Sequence, residues 1–354
     1  MKKIISTLGI LLGIIVVLFV IILLMFKNEL KSLYSIEKID NYGMYQMTYF
    51  DDYGFDDFLL TGAKNDGDIE AFIMKRLLKG LPINLNITKG GCTAFVTRND
   101  DGDVIFGRNF DFKYAPSMVL YTKPDNGYAS ISTVNLAFAG YSEDYLPSGL
   151  NFDSFLALAA PYLPFDGMNE KGVAIALLAV PQAMPAHHSD KITLNTTTSI
   201  RLVLDKAATV DEAVELLKQY NIYFSGDVEC HYLIADATGR SVIIEYYDSD
   251  IRVVETDEDY QIASNFIAYN GLNIGEGYDE FDRYQTVEDT ILKNDGKLNE
   301  EDAINLLAQV GIIDEGIDKL QWSLVYNLSS LEEDIFAHRN MSNVKHFKLK
   351  DFTE

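Results

Sequence analysis

The stretch KGGCTAFVTRNDDGDVIFGRNFDF, residues 89–112, decides the fold of this chain and holds Cys92, one of its two cysteines. Two runs rich in β-forming residues, 93–97 and 104–110, flank a short turn cluster. Gly102, at the end of that cluster, can adopt a positive φ without steric cost. The pattern therefore predicts a β-hairpin over this stretch.

The outer ends of the predicted hairpin carry reactive and charged side chains. Because the two ends meet in space, we expect Cys92 to lie near Arg108 and Asp111. A thiol is a competent nucleophile only as thiolate, so it needs a base. If the chain is cut between Gly91 and Cys92, the freed α-amine, with a pKa of roughly 7.7–8.0, can take the thiol proton. Glycine suits this cut because it tolerates the strained backbone that attack on the preceding carbonyl needs.

The start of this stretch, GCTAF, and its end, GRNFDF, resemble the N-terminal nucleophile (Ntn) hydrolases that act on linear amides. That group includes choloylglycine (bile salt) hydrolase, penicillin V acylase, acid ceramidase and the isopenicillin N acyltransferases. A second segment in the same order, DGMNEKGV at residues 166–173, resembles the DGMNEKGL segment of the choloylglycine hydrolases. Taken without these matches, Cys92 reads as a buried small hydrophobe on a strand.

Two later segments extend the resemblance: SNF around Asn265 is similar to TNSP in the family, and FDRY around Arg283 is similar to SRF. The resemblance implies that Cys92 is the nucleophile, with its freed amine as the base. It implies that Asp111 binds or orients that amine, and that Arg108 and Arg283 lower the pKa of the thiol. The Asn265 amide would donate a hydrogen bond to the developing oxyanion.

Two departures from the bile salt and penicillin acylase branch bear on substrate and maturation. That branch has a polar Asn or Tyr where this chain has Ala179, which counts against bile salts and penicillin V as substrates. It also has little or nothing ahead of the cysteine, whereas 91 residues precede Cys92 here. This arrangement resembles the ceramidase and acyltransferase branch, which cuts a pro-segment at the nucleophile.

The order of predicted elements is strands, helices, strands, helices and strands, which is typical of a layered α+β body. The resemblance implies a four-layer αββα sandwich, the Ntn hydrolase fold, over residues 92–354. Residues 140–167 are rich in aromatic side chains and show no clear period. They form either a loop packed by its own side chains or a wall for an apolar acyl group. A helix is predicted over 66–81, ahead of the body.

Residues 4–26 are apolar and uncharged, and their length is sufficient to span a bilayer. The run is too long for a usual signal-peptide core and has no small-residue cleavage site after it. The chain is therefore predicted to consist of a transmembrane signal anchor (1–26), a stalk and pro-segment (27–91) and the Ntn hydrolase domain (92–354). The slight excess of positive charge before the anchor places the catalytic part on the extracytoplasmic side of a single-pass membrane protein.

The leading functional hypothesis is an amidase that cleaves a small-molecule N-acyl amide through a cysteinyl thioester. An acyltransferase with the same chemistry, a papain-like Cys/His enzyme and an uncleaved surface-binding module are the alternatives. No cofactor or metal site is predicted, and Cys230 is predicted to be a buried apolar residue. The net charge of −24 argues against nucleic acid as a partner.

Overall fold

The computed structural model describes residues 11–17, 20–21, 24–85, 90–149, 151–181, 183–185, 187–247, 250–269 and 281–352 of the chain. The described strands are, in chain order, β1 (Glu37–Lys38), β2 (Met44–Thr48), β3 (Gly91–Arg98), β4 (Val104–Asp111), β5 (Ser117–Thr122), β6 (Ser130–Asn135), β7 (Pro164–Asn169), β8 (Ala174–Ala179), β9 (Thr193–Asn195), β10 (Asn221–Tyr223), β11 (Cys230–Ala235), β12 (Ser241–Tyr247), β13 (Asp250–Val254), β14 (Gln261–Ala263), β15 (Ile313–Asp314), β16 (Ile317–Asp318), β17 (Leu320–Asn327), β18 (Glu332–Ala337) and β19 (Lys345–Lys348).

Two large sheets organise the molecule. One has nine strands in the order β1-β2-β5-β6-β7-β8-β11-β12-β13, and the other has six in the order β14-β3-β4-β17-β18-β19. Strand β3 of the smaller sheet packs on β8 and β11 of the larger one, so the two sheets stack face to face. The first residues of β3 therefore lie where both sheets can contribute to a site.

The described α-helices are α1 (Lys27–Tyr34), α2 (Phe55–Thr61), α3 (Asp66–Arg76), α4 (Thr196–Lys206), α5 (Val210–Leu217), α6 (Phe281–Lys293) and α7 (Glu300–Val310). Four of them start at a side-chain cap: Asn65 caps α3, Asn195 caps α4, Thr209 caps α5 and Asn299 caps α7. Short 3₁₀ helices cover Leu136–Ala139, Phe152–Tyr162, Ser225–Asp227, Met341–Asn343 and Leu349–Phe352.

The helices cover the outer faces of the two sheets. Helices α4 and α5 pack on the nine-stranded sheet, while α6 and α7 pack on the six-stranded sheet. A separate apolar cluster that includes Phe95, Ile105, Val287, Ile291 and Leu307 fills the space between the six-stranded sheet and its helices. The order helix, sheet, sheet, helix confirms the predicted layered α+β body.

The segment ahead of Cys92 is folded into the body rather than extended as a stalk. Strand β2 lies parallel to β5 and extends the nine-stranded sheet. Phe55 and Phe58 of α2 pack against Tyr162 of the body, at ring-centroid separations of 6.0 and 5.5 Å. The predicted helix over 66–81 ends earlier, at Arg76. Whether this segment is a pro-segment stays a prediction.

The prediction of no regular structure over 140–167 is wrong at its C-terminal end. Residues Phe152–Tyr162 form a 3₁₀ helix, and β7 begins at Pro164. Every residue of β7 is buried, so the strand shows none of the apolar–polar alternation that reveals a half-exposed strand.

Within the described part of the chain, no helix combines the length and hydropathy needed to cross a bilayer. The predicted membrane span covers residues 4–26. Part of that span, residues 4–10, 18–19 and 22–23, lies outside the described residues, and membrane anchoring stays a prediction.

Candidate active site

The hairpin of β3 and β4 forms as predicted and brings the candidate residues together. Gly102 takes a φ of 87° at its turn. Across the hairpin, Gly91 pairs with Asp111 and Cys92 pairs with Phe110. The Arg108 Nη2 group lies 3.7 Å from the Cys92 Sγ atom and donates to it. The predicted proximity of Cys92 to a cation is therefore observed.

Arg108, on β4 of the six-stranded sheet, is held by groups of the nine-stranded sheet. Its Nε atom lies 3.0 Å from the Asp166 Oδ2 atom, and both side chains are fully buried. Its Nη2 group also donates to the Leu177 carbonyl at 3.1 Å. Asp166 in turn accepts hydrogen bonds from Trp322 Nε1 at 3.2 Å and the Tyr326 hydroxyl at 3.1 Å. Burial raises the pKa of Asp166, and the nearby guanidinium opposes this effect.

The Cys92 thiol sits in a dry environment, since the residue is 1% exposed. Burial raises the pKa of the thiol above its ordinary value. The positive charge of Arg108 opposes that rise, Asp111 adds to it, and a hydrogen bond from the Ala179 backbone N–H opposes it. In the intact chain the thiol is therefore protonated at neutral pH and needs a base to become a nucleophile.

Asn265 joins the two sheets at Cys92. The Cys92 N–H donates to the Asn265 Oδ1 atom at 2.7 Å, and Asn265 Nδ2 donates to the Ala179 carbonyl at 2.6 Å. These partners fix the orientation of the amide, because a backbone N–H can only donate and a carbonyl can only accept. Nδ2 carries two hydrogens, so the amide has a second donor beyond the one that Ala179 accepts.

Asp111 and Arg283 form an ion pair beside the predicted cleavage bond. Arg283 Nη2 donates to Asp111 Oδ2 at 2.6 Å, and the Ile312 N–H donates to Asp111 Oδ1 at 2.8 Å. Arg283 Nε donates to the Val310 carbonyl at 2.7 Å. Burial raises the pKa of Asp111, although Arg283 opposes it. Asp111 and Arg283 thus contact each other, while the Cys92 nitrogen is held by Asn265 instead of Asp111.

Space is tight at both glycines before Cys92, and it is most restrictive at Gly90, where the close atom belongs to the backbone. A Cβ atom added at Gly91 would lie 2.5 Å from Ile312 Cδ1, and one at Gly90 would lie 2.9 Å from the Asp111 carbonyl oxygen. Neither is among the described glycines with a positive φ. The sequence argument gave backbone strain as the reason for glycine here, and the structure gives close packing.

A narrow apolar cavity opens beside Cys92. Phe110, Phe138, Phe165, Leu177 and Val228 supply much of its wall, and its empty volume, mouth included, is about 430 Å³. Of the aromatic residues predicted as a possible acyl wall in 140–167, only Phe165 is among the residues found to line it. The second cysteine, Cys230, is fully buried as predicted and also faces this cavity.

Sequence reasoning missed two members of this site. Asp166 was quoted only as the first residue of a family-like turn, although a carboxylate there was a candidate partner for Arg108. The Ala179 backbone also contacts the site through both its N–H and its carbonyl. A backbone contact leaves no mark on the residue type, so no sequence signal was available for it.

Comparison with known proteins gives a consistent result. The family described as linear amide C-N hydrolases, choloylglycine hydrolase family, matches residues 92–323. The chain is 28% identical over 203 residues to a bile salt hydrolase/transferase of Clostridium perfringens, a region that covers 52% of this chain and 59% of that protein. It is 35% identical over 113 residues to a penicillin V acylase of Pectobacterium atrosepticum, covering 28% of this chain and 29% of that protein.

Two solved structures share the fold. One is a mutant of the conjugated bile acid hydrolase from Clostridium perfringens, with a TM-score of 0.54 and 18% identity, covering 73% of this chain and 93% of that one. The other is penicillin V acylase from Agrobacterium tumefaciens, with a TM-score of 0.50 and 19% identity, covering 70% and 83% of the two chains. With the family match extending over most of the chain, this protein belongs to the choloylglycine hydrolase family of linear amide C-N hydrolases.

Proposed function

We propose that this protein hydrolyses the C–N bond of an N-acyl amide through a thioester on Cys92. The proposal rests on the groups that surround Cys92. The Cys92 thiol contacts a guanidinium, its nitrogen is held by Asn265, and an apolar cavity opens beside it. These are the parts that acyl transfer needs: a nucleophile, charge to stabilise a thiolate, a candidate oxyanion donor and a site for the acyl group.

The reaction is proposed to start after the chain is cut at Gly91–Cys92. The free Cys92 amine takes the thiol proton, and the sulfur attacks the substrate carbonyl. The second Nδ2–H of Asn265, which Ala179 does not accept, and the Ala179 backbone N–H stabilise the resulting oxyanion. The amine of Cys92 then returns its proton to the leaving nitrogen, which departs as the C–N bond breaks. Water, activated by the same amine, hydrolyses the thioester and releases the acid.

Self-cleavage is proposed to use the same thiol before its amine is free. The Cys92 sulfur attacks the Gly91 carbonyl, which directly precedes it, and the thiol proton passes to the Cys92 nitrogen as the Gly91–Cys92 bond breaks. Water then hydrolyses the thioester between Gly91 and the Cys92 sulfur and leaves a free α-amine on Cys92. The tight packing around Gly91, with Ile312 and Asp111 on either side, favours a fixed position for this bond. The cut segment is proposed to stay bound, because β2 is a strand of the body sheet and Tyr53 donates to the buried carboxylate of Asp205 at 2.7 Å.

The substrate is proposed to carry an apolar acyl group of modest size. The cavity wall is formed largely by aromatic and aliphatic side chains, which suits a hydrocarbon chain or an aryl ring. Its narrowness favours shorter acyl groups over longer ones.

Membrane anchoring by residues 1–26 is part of the proposal. The described residues 11–17, 20–21 and 24–25 are all helical, and their large apolar side chains, such as Leu12 and Leu24, are strongly exposed. Such a surface is stable in lipid and unfavourable in water. Protease treatment of intact cells tests the orientation, because an extracytoplasmic body is digested and a cytoplasmic one is protected.

The test of the activity uses the cleaved protein with a series of N-acyl amides of increasing acyl length. We expect free acid and amine in equal amounts and a trapped acyl-thioester on Cys92 when the reaction is quenched with acid. A Cys92→Ala protein that releases acid at the same rate would overturn the proposal. Adding a second amine distinguishes transfer from hydrolysis, since an acyltransferase forms the new amide at the expense of free acid.

A further inference from the structure

The loop after β14 carries Asn265 but has no helix or strand of its own over residues 264–269. Asn265 nonetheless has to bridge the Cys92 nitrogen and the Ala179 carbonyl, which belong to different sheets. Misplacing a reacting group by about 1 Å costs on the order of 100-fold in rate. The position of this loop therefore matters to the nucleophile, and some other part of the fold has to set it.

Glu245, on β12 of the nine-stranded sheet, binds the loop directly. Its Oε1 atom accepts from the Ala268 N–H at 2.7 Å, and its Oε2 atom accepts from the Tyr269 N–H at 2.9 Å. The side chain is 2% exposed. Hydrogen bonds to an ionised carboxylate are roughly twice as strong as those between neutral groups. Two consecutive peptide groups, three and four residues after Asn265, are thus fixed to one rigid strand.

His231 completes this contact from the adjacent strand, β11. Its Nδ1 atom lies 2.9 Å from Glu245 Oε1, and its ring is buried. The loop is also held by its side chains, because the Arg252 guanidinium lies 5.0 Å from the centre of the Tyr269 ring and Ile267 packs on Val180. The carboxylate therefore sits between a buried imidazole and the loop backbone.

Burying a carboxylate at this position costs free energy unless its oxygens accept hydrogen bonds. An apolar side chain could fill the same space without that cost. The bonds of Glu245 are made to the loop that holds Asn265 and to His231. We infer that Glu245, supported by His231, is a positioning residue that fixes Asn265 against Cys92. This inference rests on the proposed function, in which Asn265 acts on the reacting carbonyl.

The test combines Glu245→Gln with Asn265→Ala. Glutamine keeps the size of the side chain but turns an NH₂ group toward one of the two loop N–H donors, so one of those bonds is lost. We expect kcat to fall about 10- to 100-fold with KM within about twofold. In the Asn265→Ala background the same change should alter kcat by less than about twofold, because the group that the loop positions is gone.

A second readout does not depend on turnover. Amide hydrogen exchange at Ala268 and Tyr269 should become at least about tenfold faster in Glu245→Gln, since a weakened hydrogen bond opens more often. If the wild-type protein hydrolyses no amide, the proposed function fails, while this exchange measurement still decides whether the contact holds the loop.

Val242→Ala is the matched control, because it truncates a buried side chain on the same strand. It should lower Tm, but its effect on kcat should be the same with and without Asn265. The inference is overturned if the fold-reductions in kcat caused by Glu245→Gln and Asn265→Ala multiply in the double variant, as those of independent changes do. It is also overturned if amide hydrogen exchange at residues 268–269 is unchanged in Glu245→Gln. If Glu245→Gln does not fold, Glu245→Asp keeps the charge but is one methylene too short, and the same pattern is expected of it.

Discussion

Replacing Arg108 by methionine should separate the role of its charge in stability from its role at the thiol. The guanidinium is fully buried and lies 3.0 Å from Asp166 on one side and 3.7 Å from the Cys92 sulfur on the other. Methionine fills much of the same space without a charge. Breaking a buried ion pair by removing one partner costs about 3–5 kcal/mol of unfolding free energy, because the other charge is left uncompensated.

The loss of stability in Arg108→Met should depend on pH. Burial already raises the pKa of Asp166 against the effect of Arg108, and removing the guanidinium raises it further. A carboxyl with a raised pKa in the folded state is protonated there while it is ionised in the unfolded state. The destabilisation therefore grows as pH rises above the ordinary range of Asp, and urea unfolding at pH 5 and pH 8 measures it.

Adding Asp166→Asn to Arg108→Met removes the unpaired charge and should restore most of the stability, but the thiol still lacks its cation. Losing that charge should lower the thiolate fraction of Cys92 at neutral pH about 10- to 1000-fold. The rate of iodoacetamide labelling of Cys92 as a function of pH, followed by mass spectrometry, measures this fraction. If the stable double variant is labelled at neutral pH as fast as the wild type, or turns over substrate as fast, the assignment of Arg108 to the thiol is refuted.

Three further outcomes are expected. Asn265→Ala should leave a folded protein with a reactive thiol and reduce turnover of the cleaved enzyme by about 10²–10³, and unchanged turnover would remove the oxyanion role. Val228→Phe should raise KM for longer acyl groups and leave the shortest ones unaffected, whereas an equal change for all would place the acyl group elsewhere. Burial raises the pKa of Asp205 from 3.8 to about 6, so stability should fall by about 3 kcal/mol as pH rises between those values. Asp205→Asn should make the fall of Tm with rising pH shallower than in the wild type, and an unchanged slope would assign it to other buried carboxyls such as Asp166.

The hairpin was predictable from sequence because its determinants are local. A turn with Gly102 and two β-rich runs are sufficient to bring Cys92 and Arg108 together, and the structure has them 3.7 Å apart. Asn265 and Arg283 lie far along the chain, and only the resemblance to a family placed them at the site. Their geometry follows from sheet stacking, which residue patterns alone do not specify.

The residues that support Arg108 and Asn265 could not be predicted from the sequence. Asp166 meets Arg108 across the two sheets, a contact that depends on how the sheets stack. Glu245 binds peptide N–H groups of residues 268 and 269, and such bonds do not depend on the type of the residue that donates. The first strands ahead of Cys92 were missed for a related reason, since β2 is stabilised by pairing with β5, which lies about seventy residues later in the chain.

The most direct test of the central claim is the mass and N-terminal sequence of the purified protein, compared with Cys92→Ala prepared in the same way. Wild-type protein should contain a fragment that begins at Cys92 and another that ends at Gly91, formed without added protease. Cys92→Ala should remain one full-length chain. A wild-type chain that stays intact while it turns over an amide, or a Cys92→Ala chain cut at the same bond, would contradict a self-processed N-terminal cysteine nucleophile.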